Sequence, residues 1–167
     1  MIADSNRLFC NAVFAAIAAS CLAGCAGTAA VETKPAEVSV AGQAPASIQE
    51  RAAAVALKQV GTAYRYGGSS PAGFDCSGLV QYSYLEAGKT VPRTTSQLWN
   101  TAGTVPYDDL QVGDLLFFRF DGKMSHVGIY VGNEEFVHAP SSGKSVTVDS
   151  LDARYYRSAL MRAGRLR

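Results

Sequence analysis

One cysteine and two histidines are the residues of this sequence that could do chemistry together. Cys76 lies in the segment 74–80, where a glycine-rich loop passes into apolar residues at helical spacing. A thiol in the first turn of a helix faces unpaired amide N–H groups and the positive end of the helix dipole, and both favour the thiolate. Only two histidines are present, His126 and His138. A thiol, an imidazole and a second polar ring are the parts of a nucleophile, its base and the group that orients the base.

Predicted helices and strands must carry these residues. A capping box at Ser47 and Glu50 predicts a helix over residues 47–60, and a second helix is predicted from Cys76 to Gly88. From residue 110 the apolar pattern becomes that of strands, which are predicted at 115–118, 126–131, 135–139, 146–148 and 159–161. Helices followed by an antiparallel meander indicate an α+β fold.

The two histidines are predicted to lie on neighbouring strands. His126 begins one strand and His138 lies near the end of the next, so the two can meet across an antiparallel ladder. Each feature also has an ordinary structural interpretation. Cys76 could be a small buried side chain, either histidine could be a surface or satisfied core residue, and the glycine-rich loop could be a simple turn. The residues by themselves leave the catalytic and the structural interpretations open.

The composition excludes several classes of function. A length of 167 residues suggests one domain with appendages, and an apolar fraction of 48% is enough for a packed core. The formal charge of +1 gives no reason to expect a nucleic-acid partner. The sequence lacks Cys/His spacing typical of zinc, a phosphate-binding glycine loop and a dinucleotide fingerprint, so neither a metal nor a cofactor is expected. We expect the protein to be a monomer.

The N-terminal residues 1–24 have the features of a signal peptide. A basic residue precedes an uncharged, mainly apolar run over residues 8–22, which is too short to span a bilayer comfortably. The run ends in Leu-Ala-Gly-Cys, which resembles the lipobox of bacterial lipoproteins. This resemblance implies cleavage before Cys25, a diacylglycerol on its thiol and acylation of the new amine. In Gram-negative lipoproteins, an Asp after the lipidated cysteine commonly signals retention in the inner membrane. Ala26 stands at that position here, so the outer membrane facing the periplasm is favoured if the protein is Gram-negative. An ordinary signal peptide or a short membrane anchor is the alternative.

The rest of the chain divides into a tether and a domain. Residues 25–46, which begin with the lipidated cysteine, are rich in Ala, Thr, Val and Pro without an apolar period, as in flexible linkers. Residues 47–167 are the predicted folded domain. The four cysteines are not expected to form a disulfide framework, because the lipobox resemblance implies that Cys10 and Cys21 are removed with the signal peptide and that Cys25 is lipidated. Cys76 is therefore the one free thiol expected in the mature chain.

Several segments of the domain resemble the NlpC-type cysteine peptidases. The signature blocks are matched, in order, at 75–80, 125–130 and 136–139. Further parts of the family pattern are matched at 61–68, 92–97 and 110–115. The resemblance covers nearly all of the domain and, with the lipobox, is strongest to Gram-negative murein endopeptidase lipoproteins. It implies a papain-like α+β fold, in which N-terminal helices carrying the nucleophile pack on an antiparallel sheet carrying the bases.

The resemblance also assigns catalytic roles. It implies that Cys76 is the nucleophile and His126 its general base. His138 is then the third member of a catalytic triad, which holds the His126 ring in the tautomer that can act as the base. Tyr64 matches a tyrosine beside the nucleophile and is expected, with the backbone N–H of Cys76, to contact the substrate or its oxyanion.

Three further residues are implied to bind substrate. Asp75 and Ser77 flank the nucleophile, at positions that help to recognise the amine-bearing stem peptide. Asp75 could instead, or in addition, serve as the N-cap of the helix. Arg93 is expected either to bind substrate or to be a solvated surface charge.

The activity implied is hydrolysis of an amide bond in peptidoglycan stem peptides, without a metal or cofactor. Two bonds are candidates. The combination of a lipobox, a short tether and a single domain favours the cross-link between D-Ala and meso-diaminopimelate. The other candidate is the bond that joins D-Glu to the diamino acid within a stem. A non-catalytic wall-binding lipoprotein with the same fold is an alternative of a different class, for which a substituted nucleophile would be expected. Acyl transfer is a more distant alternative.

Overall fold

The computed structural model describes residues 46–167, so the predicted signal peptide, Cys25 and nearly all of the tether lie outside the described part of the chain. The described helices are α1 (Ile48–Leu57), α2 (Cys76–Glu86), α3 (Thr95–Thr101) and α4 (Arg154–Ala159), with a 3-10 turn at Tyr107–Asp109. None of these helices is long and apolar enough to cross a membrane. The strands are β1 (Ser69–Ser70), β2 (Gly73–Phe74), β3 (Gly103–Val105), β4 (Leu115–Phe120), β5 (Lys123–Gly132), β6 (Glu135–His138), β7 (Thr147–Ser150) and β8 (Leu160–Arg165). The predicted α+β class is confirmed.

Side-chain caps fix where the helices begin. The Ser47 hydroxyl accepts a hydrogen bond from the amide of Glu50, whose carboxylate accepts from the Ser47 amide, so the predicted capping box is present. Thr94 and Gln97 make the same reciprocal pair at the start of α3. Asp75 caps α2 by accepting from an amide of the first turn. These caps satisfy amides that no carbonyl within the helix can reach.

Six strands form one antiparallel sheet in the order β3-β8-β4-β5-β6-β7. Strands β4 to β7 follow one another as the predicted meander, with the turn Asp121-Gly122 between β4 and β5. The last strand does not extend the meander but returns to pair with the other edge of β4. Leu115–Phe118 of β4 are fully buried on both faces. A strand so deeply buried needs a partner on each edge, because its backbone groups have no access to water.

The sheet carries a separate apolar cluster on each face, because side chains alternate along a strand. On one face, Phe117 and Val127 pack with residues of α1 and α2. On the other face, Phe118 and Phe136 pack with Tyr156 of α4. Helix α2 and helix α4 therefore cover opposite faces of the sheet.

The glycine-rich loop before α2 contains a short hairpin that the sequence does not predict. Strands β1 and β2 pair with Ser69 opposite Phe74. A Cβ atom added to Gly68 would lie 2.3 Å from the carbonyl oxygen of Gly73, so the loop depends on direct contact between backbones. Apolar periodicity does not predict a hairpin that is held by contact between glycine backbones.

Candidate active site

Direct backbone contact holds the N-terminus of α2 against the loop that precedes it. A Cβ atom added to Gly78 would lie 1.9 Å from the carbonyl oxygen of Gly68. The Asp75 carboxylate joins the same two segments, since it accepts hydrogen bonds from the amides of Gly78 at 2.7 Å and Gly67 at 2.9 Å. Cys76, the first residue of the helix, is therefore fixed relative to the loop.

Cys76 is partly exposed and faces the edge of β5. Its Sγ lies 4.0 Å from the carbonyl oxygen of Ser125, and the backbone amide of Val127 acts to lower the pKa of the thiol. The hydroxyl of Thr95, at the start of α3, lies 3.8 Å from the same sulfur. The thiol thus contacts both chain neighbours of His126. Within residues 46–167, no hydrogen bond joins Sγ to the ring of His126 itself.

The two histidines are diagonal neighbours on one face of the sheet. The register pairs Ile129 with Val137, so residue 128 stands opposite His138 and His126 lies two residues further along β5. Nε2 of His126 and Nδ1 of His138 are 2.6 Å apart. Both residues are buried, with 5% and 1% of their surface exposed. The predicted meeting of the two rings across the ladder is confirmed.

Asp149 and Tyr156 continue the hydrogen-bonded chain away from His126. Nε2 of His138 lies 2.9 Å from Oδ2 of Asp149 in β7, and the Tyr156 hydroxyl donates to the same oxygen at 2.7 Å. Partial burial acts to raise the pKa of Asp149, but the hydrogen bonds from Tyr156 and His138 hold it below its usual value. Asp149 is therefore an ionised carboxylate, which can only accept hydrogen bonds.

The thiol and the imidazole of the site rest in their neutral forms. Burial raises the pKa of the Cys76 thiol and outweighs the hydrogen bonds from Thr95 and Val127, which lower it. Burial, with a contribution from His138, lowers the pKa of His126 to about 3. The helix N-terminus favours the thiolate, whereas burial opposes it by raising the pKa of the thiol.

Asp75, Ser77 and Arg93 form one internal network beside Cys76. Two guanidinium nitrogens of Arg93 donate to the Asp75 carboxylate at 2.9 and 2.6 Å, and one of them also donates to the Ser77 hydroxyl at 2.9 Å. Burial acts to raise the pKa of Asp75, but the hydrogen bonds from Arg93 and from backbone amides lower it. Arg93 is therefore an ion-pair partner and not a solvated surface charge.

This network uses all the hydrogen-bonding capacity of Asp75. With two backbone amides and Arg93 as donors, both carboxylate oxygens are occupied. The expectation that Asp75 caps the helix is confirmed. Its contact with a substrate amine stays a prediction, and would require Arg93 to move.

A cavity of about 460 Å³ opens in front of Cys76. Five residues predicted from the sequence line it: Tyr64, Asp75, Cys76, Ser77 and Arg93. Burial, with the neighbouring Cys76, raises the pKa of the Tyr64 phenol. The phenol therefore keeps its proton and can donate a hydrogen bond to a carbonyl group in the cavity.

A second cavity, of about 430 Å³, opens on the histidine side. His126 and His138 line it, and Ser125 lines both cavities and marks the boundary between them. Lys144 brings a positive charge to this second cavity. Aromatic rings form another part of its wall, from Phe120, Tyr155 and Tyr156. A peptide lying across both cavities would pass Cys76 and then His126.

The sequence does not single out Asp149, because a polar residue beside Val148 is typical of any half-exposed strand. The β6–β7 register places His138 opposite Thr147, so Asp149 is its diagonal neighbour on the same face. Only this register, which depends on tertiary structure, would have revealed the contact.

The NlpC/P60 family pattern matches residues 61–165. This chain belongs to the NlpC/P60 family. Murein DD-endopeptidase MepH of Escherichia coli (strain K12) is 40% identical over 116 residues, which are 66% of this chain and 43% of MepH. Bifunctional muramidase/DL-endopeptidase CwlT of Bacillus subtilis (strain 168) is 41% identical over 116 residues, which are 67% of this chain and 35% of CwlT.

A crystal structure of an NlpC/P60 family protein from Bacillus cereus is also similar to this chain. It matches with a TM-score of 0.67 at 31% identity, over 74% of this chain and 41% of that protein. The fold implied by the NlpC-type resemblance is thereby confirmed. This chain spans less than half the length of MepH, CwlT and the B. cereus protein.

The buried histidines should make the stability of this NlpC/P60 domain depend on pH. An unfolded histidine takes up a proton near pH 6.5, whereas the pKa of His126 in the fold is about 3. The unfolded state binds more protons between these values, so the free energy of unfolding falls as pH is lowered through this window. The expected slope is up to about 1.4 kcal/mol per pH unit for this ring, measured by urea unfolding between about pH 7 and 5.

A glutamine in place of His126 supplies the control, because it binds no proton. His126→Gln should flatten the slope, although the lowered pKa of His138 leaves a residual slope of the same sign. An equal slope in wild type and variant would contradict a buried neutral His126.

Proposed function

We propose that this chain is a cysteine endopeptidase that hydrolyses amide bonds of peptidoglycan stem peptides. The observation that carries the proposal is the position of Cys76, which contacts the residues on either side of His126 while the His126 ring is hydrogen-bonded to His138. The relatives support the substrate class, since MepH is named a murein endopeptidase and CwlT a muramidase and endopeptidase.

Attack by Cys76 starts the proposed reaction. Sγ forms a bond to the substrate carbonyl carbon, the thiol proton passes to Nδ1 of His126, and the carbonyl oxygen becomes an oxyanion. The thiol and the ring must close to hydrogen-bond distance when substrate binds, as catalytic contacts commonly do. The amide of Cys76, which lies in the first turn of α2, and the phenol of Tyr64 donate to the oxyanion.

Collapse of this intermediate breaks the C–N bond. The imidazolium of His126 gives its proton to the leaving amine, and a thioester remains on Cys76. Water then attacks the thioester while His126 takes a proton from it, and breakage of the C–S bond releases a carboxylic acid. Return of the proton to sulfur restores the neutral thiol and imidazole.

The two cavities indicate how a substrate would lie. His126 protonates the leaving amine, so the amine-bearing half belongs in the cavity with Lys144 and the acyl half in the cavity with Tyr64. Both candidate bonds release the amine of a diamino acid, so this orientation applies to each. We favour the cross-link between D-Ala and meso-diaminopimelate, with the D-Glu–diamino acid bond within a stem as the alternative.

The ion pair beside the nucleophile supports cleavage of internal bonds. Arg93 and backbone amides occupy the Asp75 carboxylate, so no free carboxylate remains there for a terminal amine. A terminal amine could bind Asp75 only if Arg93 moved, and this pairing supports cleavage of internal bonds over removal of terminal units.

Replacement of the nucleophile tests the enzymatic proposal. Purified wild-type protein should change the muropeptides of isolated sacculi, and Cys76→Ala should abolish the change because alanine cannot form the thioester. Mass spectrometry identifies the bond, since cross-link cleavage converts dimers to intact monomers and cleavage within a stem shortens the peptide. Identical products from both proteins would contradict the proposal, and wall binding without cleavage would support the non-catalytic alternative.

Lys144 provides a test of the substrate orientation. Diaminopimelate carries a carboxylate that Lys144 could pair with, and an exposed ion pair contributes about 0.2–1 kcal/mol. Lys144→Ala should therefore raise KM for muropeptide dimers about two- to fivefold, with little change in kcat. Lys58→Ala is the matched control, because this exposed lysine lines neither cavity.

The same pair of variants can be compared on dimers whose diamino-acid carboxylate is amidated. The KM difference between wild type and Lys144→Ala should disappear on those substrates. An unchanged KM for the acidic dimers would show that the leaving half does not lie beside Lys144.

The proposal includes a lipid anchor in the cell envelope, at the outer membrane facing the periplasm. The apolar run over residues 8–22 and the lipobox ending at Cys25 support it. Several acyl chains would hold the chain stably, because each buried CH₂ contributes about 0.8 kcal/mol and one chain alone is marginal. Residues 26–46 would then let the domain reach the wall.

Acyl labelling tests this anchor. Radiolabelled palmitate should be incorporated into the wild-type protein in bacterial cells, and the protein should sediment with membranes. Cys25→Ala should lose the label, whereas Cys21→Ala, four residues earlier, should keep it. A label that persists in Cys25→Ala would rule out the lipobox, and separation of inner and outer membranes tests the location.

A further inference from the structure

We propose that Asp149 is a positioning residue that determines which nitrogen of His126 carries the proton. The proposal rests on the role of His126 as base in the proposed function, and goes beyond it by adding a fourth and fifth residue to the site, Asp149 and Tyr156. Neither residue touches the reacting atoms, so both act through His138.

The proton positions follow from the donors and acceptors along the chain. An ionised Asp149 only accepts, so Nε2 of His138, at 2.9 Å, must carry the proton that it donates. A neutral His138 then has a lone pair on Nδ1. Nε2 of His126, at 2.6 Å, must in turn donate its proton to that lone pair. Nδ1 of His126 is therefore left without a proton and can act as the base.

Tyr156 fixes the carboxylate that begins this chain. Its hydroxyl donates to the same Oδ2 atom of Asp149 that accepts from His138. Its ring packs edge-on against the rings of His138 and Phe136, with centroids 5.5 and 5.0 Å apart. Because 37% of the Asp149 side chain is exposed, it would have other rotamers available without this donor.

The same arrangement stabilises the charge that forms during reaction. When His126 takes the thiol proton, the positive charge lies one ring away from the Asp149 carboxylate. Lys144, from the loop between β6 and β7, is the charged group that acts on His138 in the opposite sense. Asp149 thus both orients the base and offsets a nearby positive charge.

Replacement of Asp149 by asparagine tests the proposal because it keeps the shape and removes the charge. The new amide can donate to Nε2 of His138. The proton of each ring can then move from Nε2 to Nδ1, which would leave Nδ1 of His126 unable to act as the base. We expect kcat on sacculi or muropeptide dimers to fall about 10- to 100-fold, with KM nearly unchanged. The loss is smaller than the roughly 10²- to 10⁴-fold that a general base contributes, because His126 itself is still present. Asp149→Glu should restore part of the loss, and Tyr156→Phe should lose less than Asp149→Asn.

The matched control is Asp152→Asn, which removes a carboxylate three residues away that pairs with Arg157 and not with a histidine. Its kcat and KM should equal those of wild type. Urea unfolding of each variant separates loss of activity from loss of fold.

The pH profile separates positioning from a purely structural role. Asp149 acts to raise the pKa of His138, so its replacement should move the acidic limb of kcat/KM to lower pH. Damage to the fold would lower the profile at all pH values without moving the limb. A wild-type profile and kcat in Asp149→Asn would overturn the proposal.

Imidazole ¹⁵N NMR tests the proton placement without any substrate. Wild type should show His126 and His138 each protonated on Nε2, and Asp149→Asn should show a mixture or the reversed pattern. The same tautomers in both proteins would overturn the proposal. If wild type cleaves no peptidoglycan but shows the expected tautomers, the proposed function fails while the role of Asp149 in fixing the proton stands.

Discussion

The hydrogen bond between the rings of His126 and His138 is the interaction on which the rest of the site depends. Both rings are buried, so a charge on either would be poorly solvated, and burial keeps His126 neutral at physiological pH. A neutral ring donates through one nitrogen and accepts through the other. Because Nε2 of His126 is hydrogen-bonded to His138, Nδ1 is the nitrogen that faces away from this bond. Whether Nδ1 carries a proton depends on the partners of His138 further along the chain, Asp149 and Tyr156.

The fold delivers the thiol and the histidines from different sides of the sheet. Helix α2 packs on one face, whereas His126 shares the other face with Phe118. Strand β6 ends at His138, opposite residue 128, which leaves the edge of β5 without a β6 partner at residues 125–127. The sulfur of Cys76 meets that edge. The thiol of α2 thus meets β5 next to His126, beyond the point where β6 ends.

Much of the fold could be predicted because its signals are local. The Ser47–Glu50 capping box, the Asp121-Gly122 turn and the apolar run of β4 each depend on a few adjacent residues, and each is present in the structure. The pairing of β8 with β4 could not be predicted from such signals, because the two strands are far apart in the sequence. In the site, residue types and family resemblance identified Cys76 and the histidine pair. The partner of His138 and the neutral resting state depend on register and burial, which only the folded chain provides.

In the resting site, burial favours a neutral Cys76 thiol and a neutral His126 ring, which is hydrogen-bonded to the chain that ends at Asp149. The most direct measurement is the rate at which iodoacetamide alkylates Cys76 across about pH 4 to 10, followed by mass spectrometry of the peptide that carries it. We expect a single rise in rate at alkaline pH, above about pH 8.5, as the partly buried thiol ionises. Rapid alkylation on a plateau below about pH 6, lost in His126→Gln, would reveal a resting thiolate–imidazolium pair and rule out a neutral resting pair.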